Sequence, residues 1–358
     1  MFKEISILQY LESGQKVQII DVRSPKEYQH AHIPGAKNLP LFDDTERAIV
    51  GITYKQEGRE QAIIKGLDIV GPKMAAMVTE IKSLVQEDTK IILHCWRGGM
   101  RSKSVATLFS FCGIPTEVIK GGYKAYRRQV QKLFAQKFDF FILGGRTGSA
   151  KTKILQALNT KQEQVIDLEK LANHKGSAFG DLGEKPQPST EMFENLFFEE
   201  LRNLNSEKRI WLEDESHLIG TVFIPESIWQ QMRVAPVIYC NFPMDERIKF
   251  LVDTYGNFNK EGVIHAVNKI AKRLGGQHAK AALEYYEGGN LFEATKIVLV
   301  YYDKSYNYGL SQRIPENIYE LKMDTIKPEE NAGQIIKFIE VNSIKQTTQH
   351  TSVSSTNI

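Results

Sequence analysis

Cysteine is scarce: Cys95, Cys112 and Cys240 are the three in 358 residues, far apart and without a Cys-x-x-Cys pair. That excludes a disulfide framework and a cysteine-built zinc site, and it fits a reducing cytoplasm. Cys112 and Cys240 stand in apolar surroundings and are expected in the core. Long apolar runs are missing, so no membrane-spanning helix is expected, and Met1-Phe2-Lys3-Glu4 lacks a signal-peptide core. Excess charge of one sign is missing too. Lys and Arg number 46 against 43 Asp and Glu, a net +3. A nucleic-acid surface would therefore have to be a local basic patch. No metal-ligand set is assigned, and no segment points to an obligate protein partner.

What is present is ordinary globular composition, 42% hydrophobic and 25% charged. At 358 residues the chain is too long for one core, which predicts two domains.

Ile91-Ile92-Leu93 leads into His94-Cys95-Trp96-Arg97-Gly98-Gly99-Met100-Arg101-Ser102, and a helical pattern follows from Ser104 to Phe111. Strand, glycine-bearing loop and helix would place Cys95 among backbone N–H groups beside a helix N-terminus, which favours a thiolate. Arg97 and Arg101 could fork the oxygens of a bound anion. Trp96, Gly98, Gly99 and Ser102 complete this loop, with Cys95 as its nucleophile. Upstream, Val17 to Val22 reads as a strand, followed by Arg23 and then His32-Ile33-Pro34-Gly35-Ala36-Lys37-Asn38. Together with Asp21-Val22-Arg23 and Gly121-Gly122-Tyr123, these segments resemble the rhodanese-like sulfurtransferase family. The resemblance implies a parallel α/β domain carrying a chalcogen on Cys95. The loop is one residue longer than the commonest rhodanese form. A Cys-x5-Arg spacing also matches cysteine phosphatases, so phosphatase chemistry stays open.

Between these parts, residues 51–73 read as a polar, glycine-bounded insertion or surface connection, with Tyr54 and Lys55 the residues of interest. Tyr123 to Lys137 predicts a basic helix with interleaved tyrosines. Lys124, Arg127 and Arg128 are its candidate phosphate contacts.

In the second half, the apolar run Phe138 to Leu143 meets Gly144-Gly145-Arg146-Thr147-Gly148-Ser149-Ala150-Lys151-Thr152, and a helical pattern continues to Leu158. This is a P-loop arrangement, in which backbone amides cradle a diphosphate and Lys151 neutralises it. Thr152 could ligate Mg²⁺. Gly145, Arg146, Thr147, Gly148, Ser149, Lys151 and Thr152 form the expected diphosphate site. Ala150 replaces the usual glycine before the lysine and would resist a positive φ. Arg209 to Ser216 predicts a strand ending in acids, with Asp214 first and Glu213 second as metal- or water-positioning candidates. Strands at Gln164 to Asp167, Val234 to Cys240 and Ile318 to Leu321 complete a parallel set. His174 lies in a glycine-rich loop. Lys272 and Arg273 open a second basic candidate for RNA, before Gly275. Apolar residues near Phe193 to Phe198 are expected to pack in a core. Residues 346–358 are polar, aperiodic and expected to be disordered.

The fold class is thus α/β twice over: a rhodanese-like domain with a parallel sheet over 1–130, and a P-loop NTPase-like α/β domain over 131–345. The combination resembles the tRNA 2-selenouridine synthase family. The likeness runs through Cys95 to Gly99, Gly121 to Arg127, Gly145 to Thr152, His174 to Gly180, Glu213 to Ser216 and Arg273 to Gly276. It departs at Ala150, at His217 where arginine is expected, and at Thr190 where glutamine is expected. The resemblance implies replacement of sulfur by selenium in wobble 2-thiouridine of tRNA, with selenophosphate as donor. It also implies geranyl diphosphate as a co-substrate that first alkylates the sulfur. An ATP-dependent tRNA sulfurtransferase, or a non-catalytic docking module joined to an NTPase, would use the same loops differently.

Overall fold

The computed structural model describes residues 2–13, 17–84, 89–177, 179–255 and 260–345. The expected disordered tail, 346–358, lies outside them. The chain divides into two compact units, Met1–Leu133 with Glu191–Glu199, and Phe134–Thr190 with Glu200–Ile358.

The first unit is built on a parallel sheet of β1 (Lys3–Ile5), β2 (Val17–Asp21), β3 (Lys37–Asn38), β4 (Lys90–His94) and β5 (Thr116–Ile119), in the order β1-β5-β4-β2-β3. Ile91 to His94 are all buried, the continuous apolar pattern of a central parallel strand. The connection at residues 51–73 is helical. It runs through helices Asp44–Gln56 and Arg59–Val70 and the short turn Gly71–Lys73. Asp43 caps the first of these helices through the Glu46 N–H, and Gly58, at φ 92°, separates the two. Gly51 and Gly66 are helix positions, and Gly58 is the turn residue between the two helices. Tyr54 is 59% exposed, and Lys55 is exposed on the same helix. For Cys112 the expected burial is corrected. It is exposed at the end of helix Met100–Phe111, beside Phe111 at 87% exposure. Its apolar neighbours in sequence do not cover it, because the helix ends there.

The second unit contains β6 (Phe140–Gly144), β7 (Gln164–Val165), β8 (Ile210–Glu213), a small antiparallel hairpin of β9 (Leu218–Ile219) and β10 (Val222–Phe223), β11 (Val237–Asn241) and β12 (Ile318–Lys322). The main sheet is parallel, in the order β12-β11-β6-β8-β7. Every residue of β6 is buried, and its carboxyl end delivers the glycine-rich loop, where open α/β sheets bind ligands. Between β11 and β12 lie four helices, Met244–Tyr255, Lys260–Leu274, Gly276–Glu287 and Leu291–Ser311. Val267, Ile270, Ala279, Ala282 and Val298 from the last three form a core of their own. Gly275 joins two of them as the N-cap of the second, at φ 95°, a backbone conformation that L side chains rarely adopt. Among the described residues no helix is long and apolar enough to cross a membrane.

Candidate active sites

In the first unit Cys95 follows β4 directly, and the loop turns into helix Met100–Phe111. The thiol is 3% exposed, and the buried Ser102 hydroxyl donates to its sulfur at 3.3 Å. The paired glycines at 121–122 have a definite task here. The Tyr123 N–H donates to the Cys95 carbonyl and the Lys124 N–H to that of Trp96, each at 2.9 Å. A Cβ on Gly122 would lie 2.2 Å from the Cys95 oxygen, and one on Gly98 2.2 Å from the Ile119 oxygen. Both glycines have positive φ, so the thiol loop and the next helix start interlock at backbone distance.

Beneath the loop lies buried charge. Arg23, 1% exposed, binds Asp21 with Nη2 to Oδ2 at 2.5 Å and stacks on Tyr123 at 4.1 Å. Burial works to raise the Asp21 carboxyl, but His94 and Arg23 outweigh it and hold it below its usual range. Burial lowers the proton affinity of His94 below its ordinary value, against the pull of Asp21. Arg101 forks Glu27 at 2.5 and 3.2 Å, so its guanidinium is anchored beside the loop. Arg97 and Trp96 are exposed, with the Trp96 ring 5.6 Å from Tyr123.

Of the basic candidates in helix Gly122–Phe134, Lys124 and Arg128 are exposed. Arg127 is turned inward, to Glu194 and to Asn195 Oδ1 at 2.6 Å. The interleaved tyrosines are buried: Tyr123 donates to Glu191 and Tyr126 to Glu199. They do not offer bases a stacking face. Lys272 and Arg273 are exposed on helix Lys260–Leu274.

In the second unit the P-loop joins β6 to helix Lys151–Thr160. Lys151 Nζ reaches the Gly145 carbonyl at 3.3 Å, and Thr152 donates to Glu169 at 2.9 Å. Ser149, 2% exposed, closes the turn onto the Arg146 carbonyl at 2.6 Å. Arg146 lies along Asn307 and Tyr239. Ala150 adopts φ 54°, the left-handed conformation its Cβ disfavours by about 1 kcal/mol. Ala150→Gly is therefore expected to raise the thermal midpoint by roughly 2 °C, read in a melting scan. An unchanged or lower midpoint would show that the alanine carries no strain.

Several residues that secure this site were not foreseen. Arg247, 1% exposed, pairs with Asp303 at 2.8 Å and donates to the Thr147 carbonyl at 3.0 Å, bracing the loop from behind. Tyr306 accepts from the Gly145 N–H at 2.8 Å and donates to Asp214 at 2.9 Å. Arg313 takes the other Asp214 oxygen at 2.5 Å. Both oxygens of Asp214 are thus held by the last cavity helix and the turn after it. Glu213 is fully buried behind the strand end and accepts from the Leu168 N–H. Glu215 lies instead under the loop at Gly176, where a Cβ would meet its carboxyl at 2.4 Å. Burial and the neighbouring Glu169 push the Glu215 carboxyl well above the carboxylate range, against the pull of Lys151. His174 accepts from the Gly176 N–H at 3.1 Å and shapes that same loop.

Glu213 makes stability depend on pH. Burial first, then the Asp167 and Glu169 charges, raise its proton affinity well above the ordinary 4.5. The folded protein holds a proton that the unfolded chain releases, so stability declines as pH rises from about 4.5 toward the raised value. Glu213→Gln, which keeps a donor and lacks the charge, should flatten the fall in melting temperature between pH 5 and pH 8. A slope equal to the parent's would remove Glu213 as its source.

A cavity of about 990 Å³ opens at the P-loop. Its lining includes Gly145, Thr147 to Lys153, Glu169, Asp214 and Glu215, together with Phe250, Leu251, Val263, Val267, Ala282, Leu291, Val298, Leu299 and Leu310, while Arg146 lines a separate pocket. Phe193, Phe197 and Phe198 are buried in packing and do not line it.

Residues 138–328 match the family model described as the tRNA 2-selenouridine synthase AAA domain, and residues 6–129 match the rhodanese-like domain. A protein named tRNA 2-selenouridine synthase from Marinobacter nauticus is 35% identical over 332 residues, covering 83% of this chain and 89% of that one. Proteins of the same name from Sulfurovum sp. and Hydrogenovibrio crunogenus are 33% and 31% identical. The alignments cover 82% and 87% of this chain, and 89% and 94% of theirs.

Proposed function

The chain belongs to the tRNA 2-selenouridine synthase family, and from that premise we propose that it converts wobble 2-thiouridine of tRNA to 2-selenouridine through an S-geranyl intermediate. The observation that carries the geranyl step is the lining of the cavity: a phosphate-binding loop together with a hydrocarbon wall. A nucleoside triphosphate would not need that wall; a prenyl diphosphate uses both.

In the first step the thiocarbonyl sulfur attacks C1 of geranyl diphosphate. The S–C1 bond forms, the C1–O bond breaks, and diphosphate leaves with the electron pair. The N3 proton of the base is lost to solvent water as the sulfur is alkylated. Lys151 and the amides at the start of its helix balance the charge that grows on the leaving group. In the second step the selenium of selenophosphate, held at the Cys95 loop, adds at C2; the C2–S bond breaks and geranylthiolate departs with its electron pair, and water then cleaves the Se–P bond, releasing phosphate and leaving selenium on C2. Alkylation turns a poor leaving group into a good one. Arg97, together with the loop amides around Gly98 and Gly99, is the anion cradle.

Among the described residues no three His, Cys, Asp or Glu side chains converge on a metal position. Mg²⁺ would take oxygens from the diphosphate and the Thr152 hydroxyl, hard ligands of the kind it prefers, and would supply further charge neutralisation. Exposed Lys124, Arg128, Lys272 and Arg273 are the proposed phosphate contacts for tRNA, in the cytoplasm where its substrate resides.

The test is mass spectrometry of nucleosides from 2-thiouridine tRNA incubated with geranyl diphosphate and selenophosphate, singly and together. A geranyl adduct with the first alone and 2-selenouridine with both is the expected result. Unchanged nucleoside in every tube, alongside active controls, would overturn the reading.

A further inference from the structure

Resting on that reading, tRNA has to reach the P-loop, and a second pocket there has the chemistry to receive it. In the main sheet β6, which delivers the P-loop, has β8 on one side and β11 on the other. The large cavity takes in Asp214 and Glu215, which follow β8. The separate pocket, of about 400 Å³, lies at the carboxyl ends of β11 and β12. It is formed by Asn241 to Met244, Arg247, Asp303 and Lys322 to Asp324, and it meets the P-loop at Arg146. The carboxyl edge of an open α/β sheet is where ligands are taken up, and this volume is in the range of small-molecule sites.

The charged groups of this pocket define its ligand. Arg247, 1% exposed, spends its Nη atoms on Asp303 and the Thr147 carbonyl, but its Nε has no hydrogen-bond partner among the described residues. A buried N–H left unpaired is costly, and a guanidinium only donates, so the missing partner is an acceptor oxygen. With Asp303 neutralised by Arg247, two cations, Arg146 and Lys322, face one carboxylate, Asp324. Buried Phe242 and Met323 add apolar surface. An anion with acceptor oxygens and an apolar face describes a nucleotide. Neither Arg146 nor Lys322 lines the large cavity, so the diphosphate there does not use them. A free nucleoside triphosphate would set its phosphates on the P-loop, which the prenyl diphosphate fills. A nucleotide within RNA brings one phosphate, matching the surplus of one cation. Arg146 stands between Gly145 and Thr147, both in the large cavity, so RNA held on it arrives where the sulfur must meet C1.

We propose that this pocket receives one nucleotide of the tRNA anticodon loop, its phosphate on Arg146 and Lys322 and one of its oxygens accepting from Arg247 Nε. The P-loop is then shared, with prenyl diphosphate in the large cavity and RNA in the pocket at β11 and β12.

The experiment measures the Kd of 2-thiouridine tRNA by fluorescence anisotropy across a salt series, for the parent, Lys322→Ala, Lys322→Glu and Lys161→Glu. Calorimetry without tRNA gives the affinities for geranyl diphosphate and for ATP. Lys322 and Lys161 are both exposed, so neither change threatens the core. Lys161 makes the same charge change at the far end of the P-loop helix, about 15 Å from Lys151 and beyond a Debye length. Lys322→Glu is expected to weaken tRNA binding about tenfold, and Lys322→Ala to lower the slope of log Kd against log salt by about one, the signature of one lost phosphate contact. Lys161→Glu should stay within about twofold of the parent, and geranyl diphosphate should bind Lys322→Glu as it binds the parent. A Lys322→Glu variant that binds tRNA no more weakly than Lys161→Glu would overturn the pocket. So would a loss of ATP or geranyl diphosphate binding with tRNA binding intact, which would give the pocket to a small ligand. A parent that does not bind tRNA would remove the tRNA reading itself, and the pocket with it. Lys322-dependent tRNA binding by a protein that makes no geranyl adduct would uphold the pocket and remove only the geranyl step.

Discussion

Cys95→Ala is expected to make no detectable 2-selenouridine, a loss of roughly a thousandfold or more, while S-geranyl-2-thiouridine continues to accumulate on the tRNA. The argument begins with where the thiol sits. Cys95 is held on β4 within the first unit, under Ser102 and the Tyr123 N–H, and its loop backbone interlocks with Gly122. Its side chain is small and packs in the first unit's core, so truncation to alanine leaves a cavity of one sulfur atom, costing about 1 kcal/mol. A folded protein with one chemistry deleted is the expected product, and a melting curve close to the parent's confirms that part. Loss of both nucleosides from a folded variant would sink the assignment of Cys95 to selenation alone.

The two loops were legible in the sequence because each is a local device. A buried strand, glycines at fixed offsets and a helix start occupy one short segment, and neighbouring residues suffice to show it. The strand–loop–helix settings of Cys95 and Lys151 were read this way. So were both parallel sheets, since β4 and β6 are uninterrupted apolar runs. What stayed hidden depends on distance along the chain. Tyr306 lies 161 residues from the Gly145 N–H it binds, and Arg247 lies 100 from the Thr147 carbonyl. Neither stands in a motif. The apolar chamber was equally invisible, because Val267, Ala282 and Val298 read as the buried faces of ordinary helices. A helix packed on its neighbours and one lining a cavity carry the same periodicity. Arg127 and the two tyrosines beside it misled for a related reason. Their basic-aromatic pattern suggests a nucleic-acid face, but their partners, Glu191, Glu194, Asn195 and Glu199, come from a helix 67 to 73 residues later. Among the acids, Glu213-Asp214-Glu215 marked the correct strand end. Sequence alone could not show that Asp214 is held by Arg313 and Tyr306 while Glu215 lies under the Gly176 loop.

The complementary result is expected from Lys151→Ala, which should lower geranyl transfer by roughly 10²–10³, the effect of removing one charge-stabilising donor from a developing anion. Lys151 opens its helix, and the hydrogen bond found for its ammonium is the long one to the Gly145 carbonyl, so the charge is available to a ligand at the N-terminus. Its removal leaves the Thr152–Glu169 contact and the Arg247–Asp303 brace intact. The apolar chamber is unaltered, and a geranyl diphosphate could still enter it with weaker phosphate binding. Because the deficit falls on the first step alone, tRNA that already carries S-geranyl-2-thiouridine should bypass it. Supplied with that tRNA and selenophosphate, Lys151→Ala should yield 2-selenouridine at close to the parent rate, whereas Cys95→Ala should not. Failure of the bypass in a folded Lys151 variant would mean that the P-loop also serves selenation, and the two steps could no longer be assigned to separate loops. A successful bypass, paired with persistent geranyl adduct in Cys95→Ala, would assign each bond-breaking event to its own anion site.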